Sequence, residues 1–144
     1  MTLSSQRSHK KVVVIYVRLA LGAAFLSGIA DRFGLYGKNV GYGNFENFVQ
    51  YTAQVNSFMP AVTIRFLAWA ATVAELLLGL ALIFGLWLRW TSLASAVLLA
   101  LFGTAMAISF GFKSPLDYSV FSASAAALLL ALEADNITPA MTRR

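Results

Sequence analysis

The sequence predicts an all-α integral membrane protein: a four-helix transmembrane bundle with a short amphipathic helix in its first, outer loop. Three observations predict it. The 144-residue chain is 59% hydrophobic and only 12% charged, against the roughly 25% charged of soluble domains. Its charges gather at the N-terminus, in one long loop, in short connectors and at the C-terminus. Between them run apolar stretches of about 18 to 25 residues, the length that crosses a hydrocarbon core of roughly 30 Å. There is room for one domain.

Residues 1–11 form a polar, basic tail, expected to fray. The first span covers 12–30. Lys10 and Lys11 before an apolar run, with Gly28-Ile29-Ala30 behind it, have the outline of a signal peptide. Arg18 inside the run opposes that reading, so the segment is expected to be a retained helix. The outer loop spans 31–60. Gly34, Gly37, Gly41 and Gly43 argue against regular structure in its first half. In its second half Phe45, Phe48, Val49, Thr52, Val55 and Met59 follow helical spacing, with Gln50, Gln54 and Asn56 off that face. Asn44 is placed to cap this helix and Glu46 suits its first turn. Such a helix lies on the bilayer or caps the bundle.

The second span covers 61–88. Trp69 at one end, and Trp87 with Trp90 at the other, fit interfacial belts. Arg89 marks a tight turn into the third span, 90–110. Gly111 to Lys113 connect it to the fourth, 115–134, which Ser114 is expected to cap, with Pro115 in the first helical position. Residues 135–144 form a second tail. With the N-terminus inside, the inner side carries Arg7, Lys10, Lys11, Arg89, Arg143 and Arg144. The outer side carries Arg32, Lys38, Arg65 and Lys113. This bias favours both termini in the cytoplasm. Small-residue faces then bring the spans together: Ala68, Ala71, Glu75 and Gly79 on the second, Ser92, Ala96, Ala100, Gly103 and Ala107 on the third, and Ser119, Ala123 and Ala126 on the fourth.

A net charge of +5 follows from this topology, and with no basic stripe or tract it does not point to nucleic acid. The absence of cysteine removes thiolate nucleophiles, disulfides and thiolate-held clusters. The sole histidine, His9, sits in the basic tail, and no cluster has metal-ligand spacing. No serine has a histidine beside it to activate it.

Two constellations remain. Arg18 and Glu75 are ionisable residues within spans, where each costs about 2.5–3.5 kcal/mol on insertion scales. Arg18 lies about 9 Å and Glu75 roughly 20 Å from the cytoplasmic edge at 1.5 Å per residue, a gap of about 10 Å that a long arginine can largely close. They are either a proton-handling or ligand-binding pair, or structural elements: a buried ion pair, or a snorkelling Arg18 and a neutral Glu75. On the outer side Asp31, Arg32 and Phe33 at the exit of the first span come together with Phe112 and Lys113 at the exit of the third and Asp117, Tyr118 and Ser119 at the entry of the fourth. They form either the mouth of a space floored by Glu75 or ordinary end-capping at a water interface. Asn44, Tyr51 and Asn56 of the long loop are placed to cover that mouth.

Arg18-Leu19-Ala20-Leu21-Gly22 with Phe25 and Gly28 resembles the first-helix signature of the DoxX family. Ala74-Glu75-Leu76-Leu77-Leu78-Gly79, followed by Gly85 and Arg89, is similar to its second-helix signature. Ala30-Asp31-Arg32-Phe33-Gly34 and Lys113-Ser114-Pro115-Leu116-Asp117-Tyr118-Ser119 resemble one branch of it. The resemblance covers about residues 12–133. Many members carry a polar pair with a basic residue just after the first-helix glycine; here Ser27-Gly28-Ile29-Ala30-Asp31-Arg32 has an acid before the base.

The resemblance implies a prokaryotic inner-membrane protein linked to quinone-coupled oxidation or to membrane redox complexes. Glu75 and Arg18 would then be the catalytic pair that bonds or protonates the quinone head. Asp31, Arg32, Lys113, Asp117 and Tyr118 would bind the reductant. No metal and no covalently bound cofactor is expected. Expected partners are the lipid bilayer, a quinone, and other membrane subunits or further copies of the chain. Two other functions compete: a non-enzymatic adaptor within a larger membrane complex, and a small-solute transporter. One four-helix bundle lacks the paired broken helices of transporter repeats.

Overall fold

The computed structural model describes residues 3–137, and side chains from 9 to 134. The tail arginines Arg7, Arg143 and Arg144 fall outside the described side chains. The described chain is helical throughout, with loops and no strand: α1 (Leu3–Arg32), α2 (Phe45–Val55), α3 (Ala61–Phe84), α4 (Leu88–Phe110), α5 (Lys113–Asp117) and α6 (Val120–Ile137). Three stretches are long and apolar enough to cross a membrane: His9–Arg32, Ala61–Phe84 and Leu88–Phe110. The apolar part of α6, Val120–Ala134, is shorter and packs along α4 to complete the four-helix bundle. Val62, Phe66, Leu77, Leu101, Ile108 and Leu129 point outward. In water such a surface would drive association, whereas in a bilayer it meets acyl chains.

Several boundaries differ from the sequence reading. The basic tail is not frayed from Leu3 onward but extends α1. The turn between the second and third spans lies at Gly85-Leu86-Trp87, before Arg89: Gly85 caps α3 in the left-handed region and Trp87 also has positive φ, 41°. The fourth span is broken. Ser114 does not cap it, because α5 already begins at Lys113 without a side-chain cap. The break follows at Ser119, whose φ is 55°. Serine there carries the steric cost of a Cβ in a left-handed turn, which is why no glycine signals the break.

The interior is made of small residues, as association within lipid requires. A Cβ on Gly22 would stand 2.9 Å from the Gly79 carbonyl oxygen, so α1 and α3 cross almost backbone to backbone. Gly103 of α4 similarly makes a slot for the Phe121 ring. Leu82, Ser92, Ser95 and Ala127 are fully buried. Ser95 donates to the Thr91 carbonyl at 2.8 Å, and Ser124 of α6 donates across to the Ala96 carbonyl of α4 at 2.7 Å. Lys10 of α1 lies 3.6 Å from Glu133 of α6, so the first turns of α1 and the last turns of α6 lie on the same side of the bundle.

Helix α2 caps the other side. Asn44 accepts from the Asn47 backbone N–H at 2.9 Å, the N-cap expected from sequence. Phe48, Val49, Thr52 and Val55 of the anticipated face are buried, the first two against Ile64 and Ala68 of α3. Phe45 stacks on Phe33 (5.7 Å between centroids) and packs at a tilt against Trp69 (4.3 Å), which joins α1, α2 and α3 at their outer ends.

Candidate functional site

Antiparallel α1 and α3 set the site's register. Gly22 lies against Gly79, Gly28 against Glu75, and Arg18 against Gly85. Side chains on a helix lean toward its N-terminus. In this antiparallel pair Glu75 therefore leans toward the outer end, while Arg32, at the end of α1, leans back from it. They meet over Gly28, where a side chain would lie 3.5 Å from a Glu75 carboxylate oxygen. Arg32 Nη2 donates to Glu75 Oε1 and Oε2 at 2.7 and 2.8 Å. Its Nη1 donates to Thr72 Oγ1 at 3.0 Å, and the Thr72 hydroxyl in turn donates to the Ala68 carbonyl at 2.8 Å. The guanidinium lies 3.8 Å from the Phe48 ring centroid, within cation–π range. Arg32 and Glu75 are only 6% and 4% exposed. One guanidinium N–H, Nε, has no partner.

This corrects the expected Arg18–Glu75 pair. Arg18 sits beside Gly85, at the other end of α3. It leans toward the N-terminus of α1 while Glu75 leans the opposite way, so the axial gap widens where the sequence reading had it close. A cation beside the C-terminal end of α3 suits the helix dipole.

Above the pair opens a cavity of about 880 Å³, within the roughly 300–1,000 Å³ of small-molecule sites. Ala70, Ala71 and Ala74 of α3 and Leu98, Phe102 and Met106 of α4 supply apolar wall. Asp31, Arg32, Glu75, Tyr42, Tyr51, Thr52, Asn56 and Tyr118 supply the polar groups. Asp31 is tied down, accepting the Tyr42 backbone N–H at 3.1 and 3.2 Å. Its carboxylate packs on Gly41, where φ is 56° and no Cβ would fit. Burial raises the pKa of the Tyr42 phenol well above the usual value, with the nearby Tyr51 adding to the effect. Burial, then the proximity of Tyr118, raises that of Tyr51. Both remain protonated donors across the neutral range.

Four of the residues expected at a site, Asp31, Arg32, Glu75 and Tyr118, thus line one cavity. Lys113 and Asp117 do not join them. They pair with each other one turn apart and stay largely exposed, while Tyr118, the cap of α5, lines the cavity. Asn56 and Tyr51 line it from α2 and its cap. Asn44 instead caps α2. The sequence reading missed Thr72, Tyr42 and the contact of Phe48 with the cation. Thr72 was detectable, since it falls one turn from both Ala68 and Glu75 on the same helix face.

In comparison with known proteins, the DoxX family model matches residues 13–108. No curated protein and no solved structure is similar enough to this chain to match it.

Proposed function

This chain belongs to the DoxX family of membrane proteins, and from that premise we propose that its outer cavity binds the head group of a lipid-soluble quinone within a membrane redox system. One observation carries the reading: apolar walls, a charge pair that neutralises itself, and protonated phenols meet in one cavity beside membrane-spanning helices. A quinone head is neutral and planar, and its two carbonyls only accept hydrogen bonds. Tyr42 and Tyr51 are donors, and the Phe48 and Phe102 rings offer flat apolar contact. An anionic ligand fits less well. Arg32 is already engaged by Glu75, and Asp31 adds a second acid, so the lining holds two acids against one base. No cysteine is available to relay electrons, so the reductant is a small polar donor or a partner subunit.

We also assign the chain to the prokaryotic inner membrane with both termini cytoplasmic. Lys10 and Glu133 being close supports termini on one side. Arg32 is buried in an ion pair and drops out of the outer tally, which strengthens the inward bias of the remaining Lys and Arg.

The test is quinone extracted from protein purified out of native membranes, followed by titration of a quinone into the protein in nanodiscs. Stoichiometric quinone is expected with the native chain. Tyr51→Phe should weaken binding by about tenfold, the loss of one hydrogen bond in an apolar site. Ala71→Phe, which fills the cavity, should abolish binding while the protein stays monodisperse. An extract free of quinone together with a flat titration would rule the reading out.

A further inference from the structure

A second hollow lies on the outer surface of the bundle, between α3 and α4. It has a volume of about 500 Å³, and its lining is apolar, including Leu78, Trp90 and Ala94. Ala94 and Trp90 are exposed on the outward face, so the groove opens toward lipid. It shares Ala74, Leu98 and Leu101 with the polar-headed cavity. The two hollows therefore adjoin, with these three side chains as common lining. End to end they extend from the Arg32–Glu75 pair past Ala74 and along α4 to Trp90, about 16 Å from Leu101 at the rise of an α-helix.

We propose that this groove is a lateral portal and tail channel, through which a ligand with one long hydrocarbon tail enters from the bilayer and in which the tail then lies. The inference rests on the quinone reading for the identity of the head, and it adds the route and the tail site. Polarity runs in one direction: charges and hydroxyls line only the cavity end, and the groove's one polar side-chain group is the Trp90 indole N–H at its far end. That order matches a molecule with a polar head and an apolar tail. The occupant is a single isoprenoid tail and not a phospholipid chain, because the head end carries two acids and one engaged base and so disfavours a phosphate. Ala74 lines both hollows and marks where they meet, whereas Ala94 lines the groove alone, so a larger side chain at Ala94 would obstruct the tail and leave the head site untouched.

Lipid already solvates a free tail, so the groove adds little affinity through burial. The readout is therefore a clash. With the full chain in nanodiscs, a tail-less para-benzoquinone and the same head carrying a decyl tail are titrated into the native protein and Ala94→Phe, a change in the groove alone. The decyl compound should bind Ala94→Phe about tenfold or more weakly, the cost of overpacking one side chain. The tail-less compound should be unchanged within about twofold. Equal losses for both compounds, or no loss for either, would overturn the channel and leave the head site standing. Failure of both compounds on the native protein would overturn the head site as well.

A quinone with a photoreactive group at the end of its tail provides a measurement that needs no substitution. It should label Ala94 or its groove neighbours, and excess untagged decyl quinone should suppress the labelling. Labelling spread over α1 and α6, or unaffected by the competitor, would mean that ordinary lipid fills the groove.

Discussion

The two ends of the α1–α3 pair are built from the same parts and do different things. At the inner end Arg18 lies over Gly85, in the half of the bundle where Leu82, Ser92 and Ser95 are fully buried. At the outer end Arg32 lies over Gly28 against Glu75, and behind it α3 and α4 part around a large cavity. Each end sets an arginine beside a glycine, though only Gly85 leaves space that a Cβ would take from its arginine. Among the described residues only the outer arginine pairs with a buried acid, and the large polar-lined cavity lies at that end. The tight crossing of Gly22 and Gly79 separates the two ends. A membrane-depth charge is thus not by itself a site; what surrounds it decides.

The largest expected effect tests the two arginines directly. Arg32→Met strands the Glu75 carboxylate in a buried setting and should cost about 3–5 kcal/mol, the penalty of breaking a buried pair. Arg18→Met should cost about 1 kcal/mol or less, as for a change outside such a feature. Reversible unfolding in mixed micelles measures both, and equal losses would erase the distinction between the ends. Next in size is packing. Gly79→Val drives a side chain into Phe25 and Leu26, already 3.2 Å from where its Cβ would sit, and should cost about 1–3 kcal/mol. Ala71→Val on the cavity wall should stay within about 0.5 kcal/mol. A large loss from Ala71→Val would mean that the outer half is as filled as the inner. The smallest effect concerns the lid. Glu46 of α2 pairs with Arg65 of α3 at 2.9 Å in an exposed position, so Glu46→Gln should cost about 0.2–1 kcal/mol and less in high salt. A greater loss would show that charge, and not the Phe33–Phe45–Trp69 cluster, holds α2 over the cavity.

Much of this was legible in the residues. Span lengths, the α2 face and the Asn44 cap follow from hydropathy and periodicity, which are local properties. The pairing of charges was not, because it depends on which way side chains lean. Counting residues along the axis put Arg18 and Glu75 within reach; adding the tilt of each side chain toward its helix's N-terminus excludes Arg18 and selects Arg32. The same rule applied to sequence would have found the pair. The break at Ser119 is different in kind: a serine in a left-handed turn carries no sequence mark, so Lys113 and Asp117 were assigned to the mouth along with Tyr118. Thr72 and Tyr42 were overlooked because a hydroxyl in an apolar run looks like filler until a guanidinium or a cavity is found beside it.

The Arg32–Glu75 bond joins residues 43 apart in the chain, and that separation bears on biogenesis. Translation delivers the guanidinium to the membrane well before its carboxylate exists. Until α3 follows, the first helix carries a cation at its trailing end that hydrocarbon will not accept, and the interface must hold it. Only when the second helix threads in, antiparallel and in register, can the cation sink to its final depth. Membrane integration and helix–helix recognition are therefore one step for this protein, and an error in either is exposed as an unpaired charge.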